Sequence, residues 1–129
     1  MNSHVPQVNR MAEKQLYPAA SRDLAEKRAA LAPQIDAAFK AFSERVFAAG
    51  AFPAKTKQLI AVAVAHVTQC PYCIRGHTKA AFRARATRQE VMEAIWVAAE
   101  MRAGGAYAHS ALAMDVMDQL PWVDKDTPE

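Results

Sequence analysis

The chain carries two cysteines, Cys70 and Cys73, with His77 four residues after the second. In the first turn of a helix this spacing sets the two Cα atoms about 5 Å apart, within the range a disulfide bridges. The pair can therefore pass between dithiol and disulfide. A helix N-terminus also presents partial positive charge and unpaired backbone N–H groups, and both stabilise a thiolate. An imidazole one turn beyond Cys73 on the same face can accept the thiol proton or hold the thiolate as its cation. That proximity makes Cys73 the expected nucleophile and Cys70 the resolving thiol.

His66 extends the set. On an ideal helix, positions 66, 70, 73 and 77 fall within roughly 60° of one another, although Pro71 is expected to kink that line. Two imidazoles and two thiolates are also a zinc ligand set, but the outer histidines of a continuous helix stand about 16 Å apart, too far to share one ion. No metal is expected, and no haem or flavin motif is present, so the chemistry is read without a cofactor. His66 lies in an apolar run and can equally be a hydrogen-bonded core histidine. Tyr72 can offer a hydroxyl or simply pack. His109 reads as structural, Met92, Met101, Met114 and Met117 as core filler, and Arg83, Arg85 and Arg88 as a solvated face.

The surrounding sequence must position this centre. With 129 residues, 52% of them hydrophobic, the chain is expected to form one folded domain. The net charge of +3 comes from basic residues interleaved with acidic ones, which does not favour nucleic acid. Nothing in Met1 to Met11 marks export, and the most apolar run, Leu59 to Val67, is about half the length that spans a bilayer. A soluble, cytoplasmic protein with no membrane partner is expected. In such a compartment a close cysteine pair points to redox or metal chemistry rather than to a structural staple across distant segments.

Periodicity and punctuation predict helices only. Residues 1–20 read as an irregular arm. Ser21 caps a helix over Arg22 to Leu31, and Pro33 starts another through Phe47 whose stripe Ile35, Phe39, Phe42 and Val46 is expected to face a core. Pro53 opens a third helix through His66. A break at Thr68 to Cys70 precedes a helix from Pro71 to about Arg85, which puts the cysteines at a helix start. Thr87-Arg88-Gln89-Glu90 has capping-box form and launches a helix through Val91, Ile95 and Ala98. Gly104-Gly105 then reads as a turn or close helix contact before a last helix over Ala106 to Leu120, with a loose tail after Trp122. The fold class is all-α, with five to seven helices, and the short apolar chain favours association over a monomer.

From Pro53 to Ala111 the sequence resembles the alkylhydroperoxidase D-like members of the carboxymuconolactone decarboxylase superfamily. The resemblance rests on Cys70-x-x-Cys73-x-x-x-His77 followed by Lys79-Ala80-Ala81, and on the preceding Lys55-Thr56-Lys57-x-Leu59-Ile60-Ala61 helix. It implies an all-helical fold assembled as trimers or hexamers. It also implies a peroxidase in which the residue matching Cys73 attacks the hydroperoxide, that matching Cys70 closes the disulfide and that matching His77 relays protons. An external dithiol reductant then restores the pair. True decarboxylases of the superfamily lack the cysteine pair.

Two departures stand out. Redox members of that family usually place a glutamate twelve residues before the first motif cysteine, where this chain has Gln58, which hydrogen-bonds but cannot titrate. Either His66 replaces it in the relay or turnover is weak. Arg85 stands where relatives end a helix with glycine, so it must accept a positive φ or the helix must end differently. The expected function is thiol-dependent reduction of small organic hydroperoxides at Cys70, Cys73, His77, His66 and Gln58. The alternatives are a decarboxylase- or lactone-type enzyme on the same fold, with Gln58, His66 and His109 lining a pocket, and a non-catalytic redox-sensing or binding protein.

Overall fold

The structure, a computed structural model, describes residues 16–123. The arm expected over residues 1–20 and the tail after Trp122 fall outside it at residues 1–15 and 124–129. Among the described residues there are five helices and no strand, as the pattern predicts. They fall into two compact units, one ending at Phe47 and the other beginning at Ala48.

The first unit pairs α1 (Arg22–Leu31) with α2 (Pro33–Phe47). Ser21 caps α1, its hydroxyl accepting the Leu24 N–H at 3.1 Å. Exposed i,i+4 ion pairs Arg22–Glu26, Lys27–Asp23 and Lys40–Asp36 line the polar faces and add only a few tenths of a kcal/mol each, about 0.3–0.5. The stripe on α2 departs from expectation: Ile35, Phe39 and Phe42 are 74%, 67% and 65% exposed, and Val46 is exposed as well. Helical periodicity records that a face is built for apolar contact. It does not say whether the contact lies in the same chain.

The second unit holds α3 (Ala54–Thr68), α4 (Pro71–Arg83) and α5 (Arg88–Gln119). α3 packs against both α4 and α5, and the buried residues Val62 and Ala65 of α3, Ala81 of α4 and Ala98 of α5 mark the core. Three of these four are alanines, which lets the backbones approach closely where the helices pack. Among the described residues Val62 is the one large side chain fully buried, a contribution of about 1.5–3 kcal/mol. Pro53 is the N-cap of α3 rather than its first residue. Lys57 Nζ donates to the Ala48 carbonyl at 2.6 Å, tying the entering loop to the helix. Two residues earlier, the Lys55 ammonium meets Glu90 Oε2 at 2.9 Å and so joins the starts of α3 and α5.

Two further expectations need correction. Gly104 and Gly105 make neither a turn nor a close contact between helices: α5 runs unbroken through them for 32 residues, about 48 Å. Neither glycine has a positive φ, and a glycine inside a long, well-capped helix costs only about 1 kcal/mol, too little to break it. The methionines Met92, Met101, Met114 and Met117 are exposed on α5 rather than filling a core within the chain. α5 packs against α3 and, among the described residues, buries a single one of its own, Ala98.

Candidate active site

The site begins with a proline. Pro71 lacks an N–H and disfavours the helical conformation in the residue before it, so α3 cannot run into α4. The chain turns through Gln69, a non-glycine in the left-handed region (φ 57°, ψ 44°), whose N–H and that of Cys70 both reach the Ala65 carbonyl. Cys70 is then extended (φ −97°, ψ 106°) and becomes the N-cap of α4, with Pro71 in the first turn. The cysteines do start a helix as expected, but on unequal terms: Cys70 caps it from outside, and Cys73 is its third residue.

Cys70 does with sulfur what an N-cap ordinarily does with oxygen. Its Sγ accepts the Cys73 backbone N–H at 3.3 Å. Both cysteines are free thiols and half-buried. Hydrogen bonds from the Cys73 side chain and from its backbone N–H hold the Cys70 pKa below the ordinary thiol value. The Cys73 thiol is pushed the other way, first because it donates to Cys70 and then through burial and the neighbouring sulfur's charge.

His77 lies one turn beyond Cys73 on α4, and its Nδ1 stands 2.8 Å from Gln58 Oε1 on α3. An amide oxygen can only accept, so in this bond Nδ1 carries the hydrogen. Gln58 therefore meets His77 directly, although it cannot titrate. His66 is arranged differently. Its Nδ1 donates to the Val62 carbonyl of its own helix at 2.7 Å, which is the bond of a core histidine. The left-handed turn at Gln69 also breaks the continuous helix on which His66 would share a stripe with the cysteines. His109 is exposed on the second half of α5, and Tyr72 is exposed at 39%. Arg83, Arg85 and Arg88 are exposed too, as a solvated face requires.

Arg85 resolves the second departure. It adopts φ 68°, and α4 ends in a Schellman motif, with Ala86 N–H on Ala81 O at 2.9 Å and Arg85 N–H on Phe82 O at 3.0 Å. Thr87 then starts α5 with the predicted capping box: its Oγ1 accepts Glu90 N–H at 3.1 Å, and Glu90 Oε1 accepts Thr87 N–H at 3.0 Å. The Lys55 ammonium and the Thr87 N–H hold the Glu90 carboxyl below its usual pKa. Sequence reasoning missed Gln69 as the pivot and Cys70 as the cap. The signal for both was the Cys70-Pro71 bond, which removes Cys70 from any helix.

Comparison with known proteins places this geometry in a family. The sequence pattern of the carboxymuconolactone decarboxylase family matches residues 33–115. A relative in Paracoccus denitrificans, "Uncharacterized protein 4 in cox locus", is 61% identical over 103 residues, covering 80% of this chain and 92% of its own. An uncharacterized protein of Cupriavidus necator is 37% identical over 88 residues, covering 68% and 78%. Among solved structures, a Methanobacterium thermoautotrophicum protein superposes with a TM-score of 0.62 at 33% identity, over 70% of this chain and 97% of that one. The apo form of a carboxymuconolactone decarboxylase family protein from Legionella pneumophila does so at 0.60 and 30% identity, over 75% and 87%. The matched residues take in all of α2, α3 and α4 and the cysteine site, and the chain belongs to the carboxymuconolactone decarboxylase family.

Proposed function

We propose that this chain is a thiol-dependent peroxidase of the alkylhydroperoxidase D-like kind, reducing small organic hydroperoxides with electrons from an external dithiol. The observation that carries this is the Cys70–Cys73 pair itself: two free thiols at one helix start, one sulfur accepting the other residue's N–H at 3.3 Å, with an oriented imidazole one turn on. In one cycle the two thiols lose two electrons and two protons and become a disulfide. The O–O bond breaks, and the peroxide leaves as an alcohol and water. An external dithiol then exchanges with the disulfide, becoming oxidised itself. His77 moves protons. Gln58 is a positioning residue that holds the ring by Nδ1, and His66 supports the site from within α3. No cofactor takes part.

The whole chain is read as one alkylhydroperoxidase D-like domain, with residues 53–111 as its motif region, working in the cytoplasm. Among the described residues no helix is long and apolar enough to cross a membrane. Large apolar side chains stand exposed along α2 and α5, among them Phe39, Phe42, Trp96 and Met101, and this favours a homo-oligomer, a trimer or hexamer, that covers them.

Turnover tests the proposal. Purified protein with dithiothreitol and cumene hydroperoxide should consume many equivalents of peroxide per chain, and Cys70→Ser or Cys73→Ser should each stop this. Oxidation that halts after one equivalent would indicate a redox sensor. Activity on a non-thiol substrate surviving Cys73→Ser would indicate another chemistry on the same fold.

A further inference from the structure

Resting on the proposed redox cycle, we infer that the solvent face of α4 is the docking surface for the molecule that returns electrons to the cysteine pair, and that this molecule is a protein with an acidic surface around its own dithiol.

Charge marks the face first. Between Ala48 and Gln89 the second unit has no Asp or Glu. On α3, Lys55 is answered by Glu90 and Lys57 by the Ala48 carbonyl. Arg75, Lys79, Arg83, Arg85 and Arg88 are exposed, and none of them meets a carboxylate among the described residues. Their spacing sets α4 apart from the first unit. There, Arg22, Lys27 and Lys40 each stand four residues from an acidic partner. On α4, Arg75, Lys79 and Arg83 stand four residues from one another, an arrangement that weakens a helix by itself. Helical geometry puts these three and Tyr72 within about 80° of one another, on the side away from buried Ala81, in a row about 12 Å long from Arg75 to Arg83. Like charges in such a row are stabilised by an anionic surface laid along them.

Gly76 is the second mark. It is exposed in the second turn of α4, where glycine is a poor helix former. Its φ is not positive, and a Cβ built there would meet nothing within 4 Å. The described chain therefore gives no reason for a glycine, whereas close approach by another molecule does. Around the helix Gly76 falls between the charged row and Cys73, one turn after that cysteine. A protein laid on the row thus reaches the cysteine pair over a position that has no side chain.

The reduction itself requires a partner held through two attacks. One partner thiolate attacks a sulfur of the Cys70–Cys73 disulfide, forming a mixed disulfide as the S–S bond breaks, and the released thiolate takes up a proton. The partner's second thiol loses its proton and attacks the mixed disulfide. This closes the partner's own disulfide and releases the chain's other sulfur, which is protonated in turn. Two electrons and two protons pass to the chain. A row of charges that long serves a protein dithiol, not a small thiol or a small hydroperoxide.

The test uses the full-length protein oxidised with diamide, so that it is independent of peroxide chemistry. Two synthetic peptides share one Cys-x-x-Cys centre, flanked by glutamates in one and by lysines in the other, and dithiothreitol is the third reductant. Return of both thiols is followed by alkylation and intact mass. Against the triple variant Arg75→Glu, Lys79→Glu, Arg83→Glu, wild type should be reduced at least about ten-fold faster by the acidic peptide and more slowly by the basic one, with dithiothreitol changed by less than about three-fold and the preference lost in high salt. Equal rates with the acidic peptide, or an equal slowing with dithiothreitol, overturn the inference. Gly76→Leu raises helix propensity and keeps the fold, as circular dichroism checks; it should slow the acidic peptide at least about five-fold and leave dithiothreitol unchanged. An unchanged peptide rate overturns the approach over Gly76. A changed oligomeric state of the triple variant on size exclusion would assign the face to a second copy, and binding of wild type alone to anionic lipid vesicles, with no preference between peptides, would assign it to a membrane surface; either overturns the inference. If the reduced protein does not consume cumene hydroperoxide while the peptide preference holds, the peroxidase function fails and the docking surface stands.

Discussion

Two junctions in the second unit are built on one backbone plan and put to different ends. Between α3 and α4 the chain turns through left-handed Gln69 and enters a helix capped by Cys70. Between α4 and α5 it turns through left-handed Arg85 and enters a helix capped by Thr87. In both, the cap atom accepts the N–H of the residue three further on, at 3.3 Å to sulfur and 3.1 Å to oxygen. At Thr87 the bond is returned by Glu90, which is itself anchored by Lys55, and the result is a helix start made for stability. At Cys70 the third residue is Cys73, and no carboxylate returns the bond. A weaker cap stands where a better one was available, and what it supplies is a polarised thiol beside a second thiol. On the proposed function, this is the junction given over to chemistry.

The largest expected effect comes from making the two junctions alike. Cys70→Ser should reduce peroxide turnover to background while leaving thermal stability equal to or above wild type, since serine is a preferred cap. A loss of stability together with activity would mean that Cys70 serves the fold. Next in size is the pH dependence of alkylation. A lowered pKa keeps a thiolate present at more acidic pH, so as pH falls Cys73 should stop reacting first and Cys70 last. Cys73→Ala removes the thiol donor and should move the Cys70 profile toward higher pH; an unmoved profile would show that the backbone N–H alone sets it.

Gln58→Glu tests whether the missing carboxylate limits proton transfer, and a rise in peroxidase rate on the order of ten-fold is expected, less than the roughly 10²–10⁴-fold of full acid–base assistance because His77 is already present. An unchanged rate would confine Gln58 to holding the ring. At the second junction the effects belong to stability. Thr87→Ala should cost about 1 kcal/mol in denaturant unfolding without altering thiol reactivity. Glu90 has a depressed pKa in the folded chain, so its contribution is present above the unfolded carboxyl's pKa and is lost as pH falls through the folded value. Arg85→Gly, relieving a left-handed non-glycine, should gain about 0.5–1 kcal/mol. A loss instead would show that the Arg85 side chain is needed there.

Local signals in the sequence carried the helix starts well. Ser21, Pro33, Pro71 and Thr87 each act through bonds or clashes with their immediate neighbours, and the structure places all four where those local effects put them. Gly104-Gly105 misled because a glycine pair permits a turn without requiring one, and the helical hydrogen bonds on either side win. The stripe of α2 and the methionines of α5 were legible as apolar faces but not as exposed ones, since periodicity does not name the partner. At the candidate site, the cysteine pair and His77 were singled out by spacing and Gln58 by the family resemblance, and only the fold brings His77 against Gln58 across two helices. The unequal standing of the two cysteines followed from Pro71, a local effect that their symmetrical spacing concealed.

The most direct test of a working dithiol centre is a thiol count by alkylation and intact mass on reduced wild-type protein, before and after one equivalent of an organic hydroperoxide. Both thiols should disappear together as one intramolecular disulfide, rapidly in wild type and not in Cys70→Ser. Two thiols still alkylated after exposure to peroxide would contradict the account.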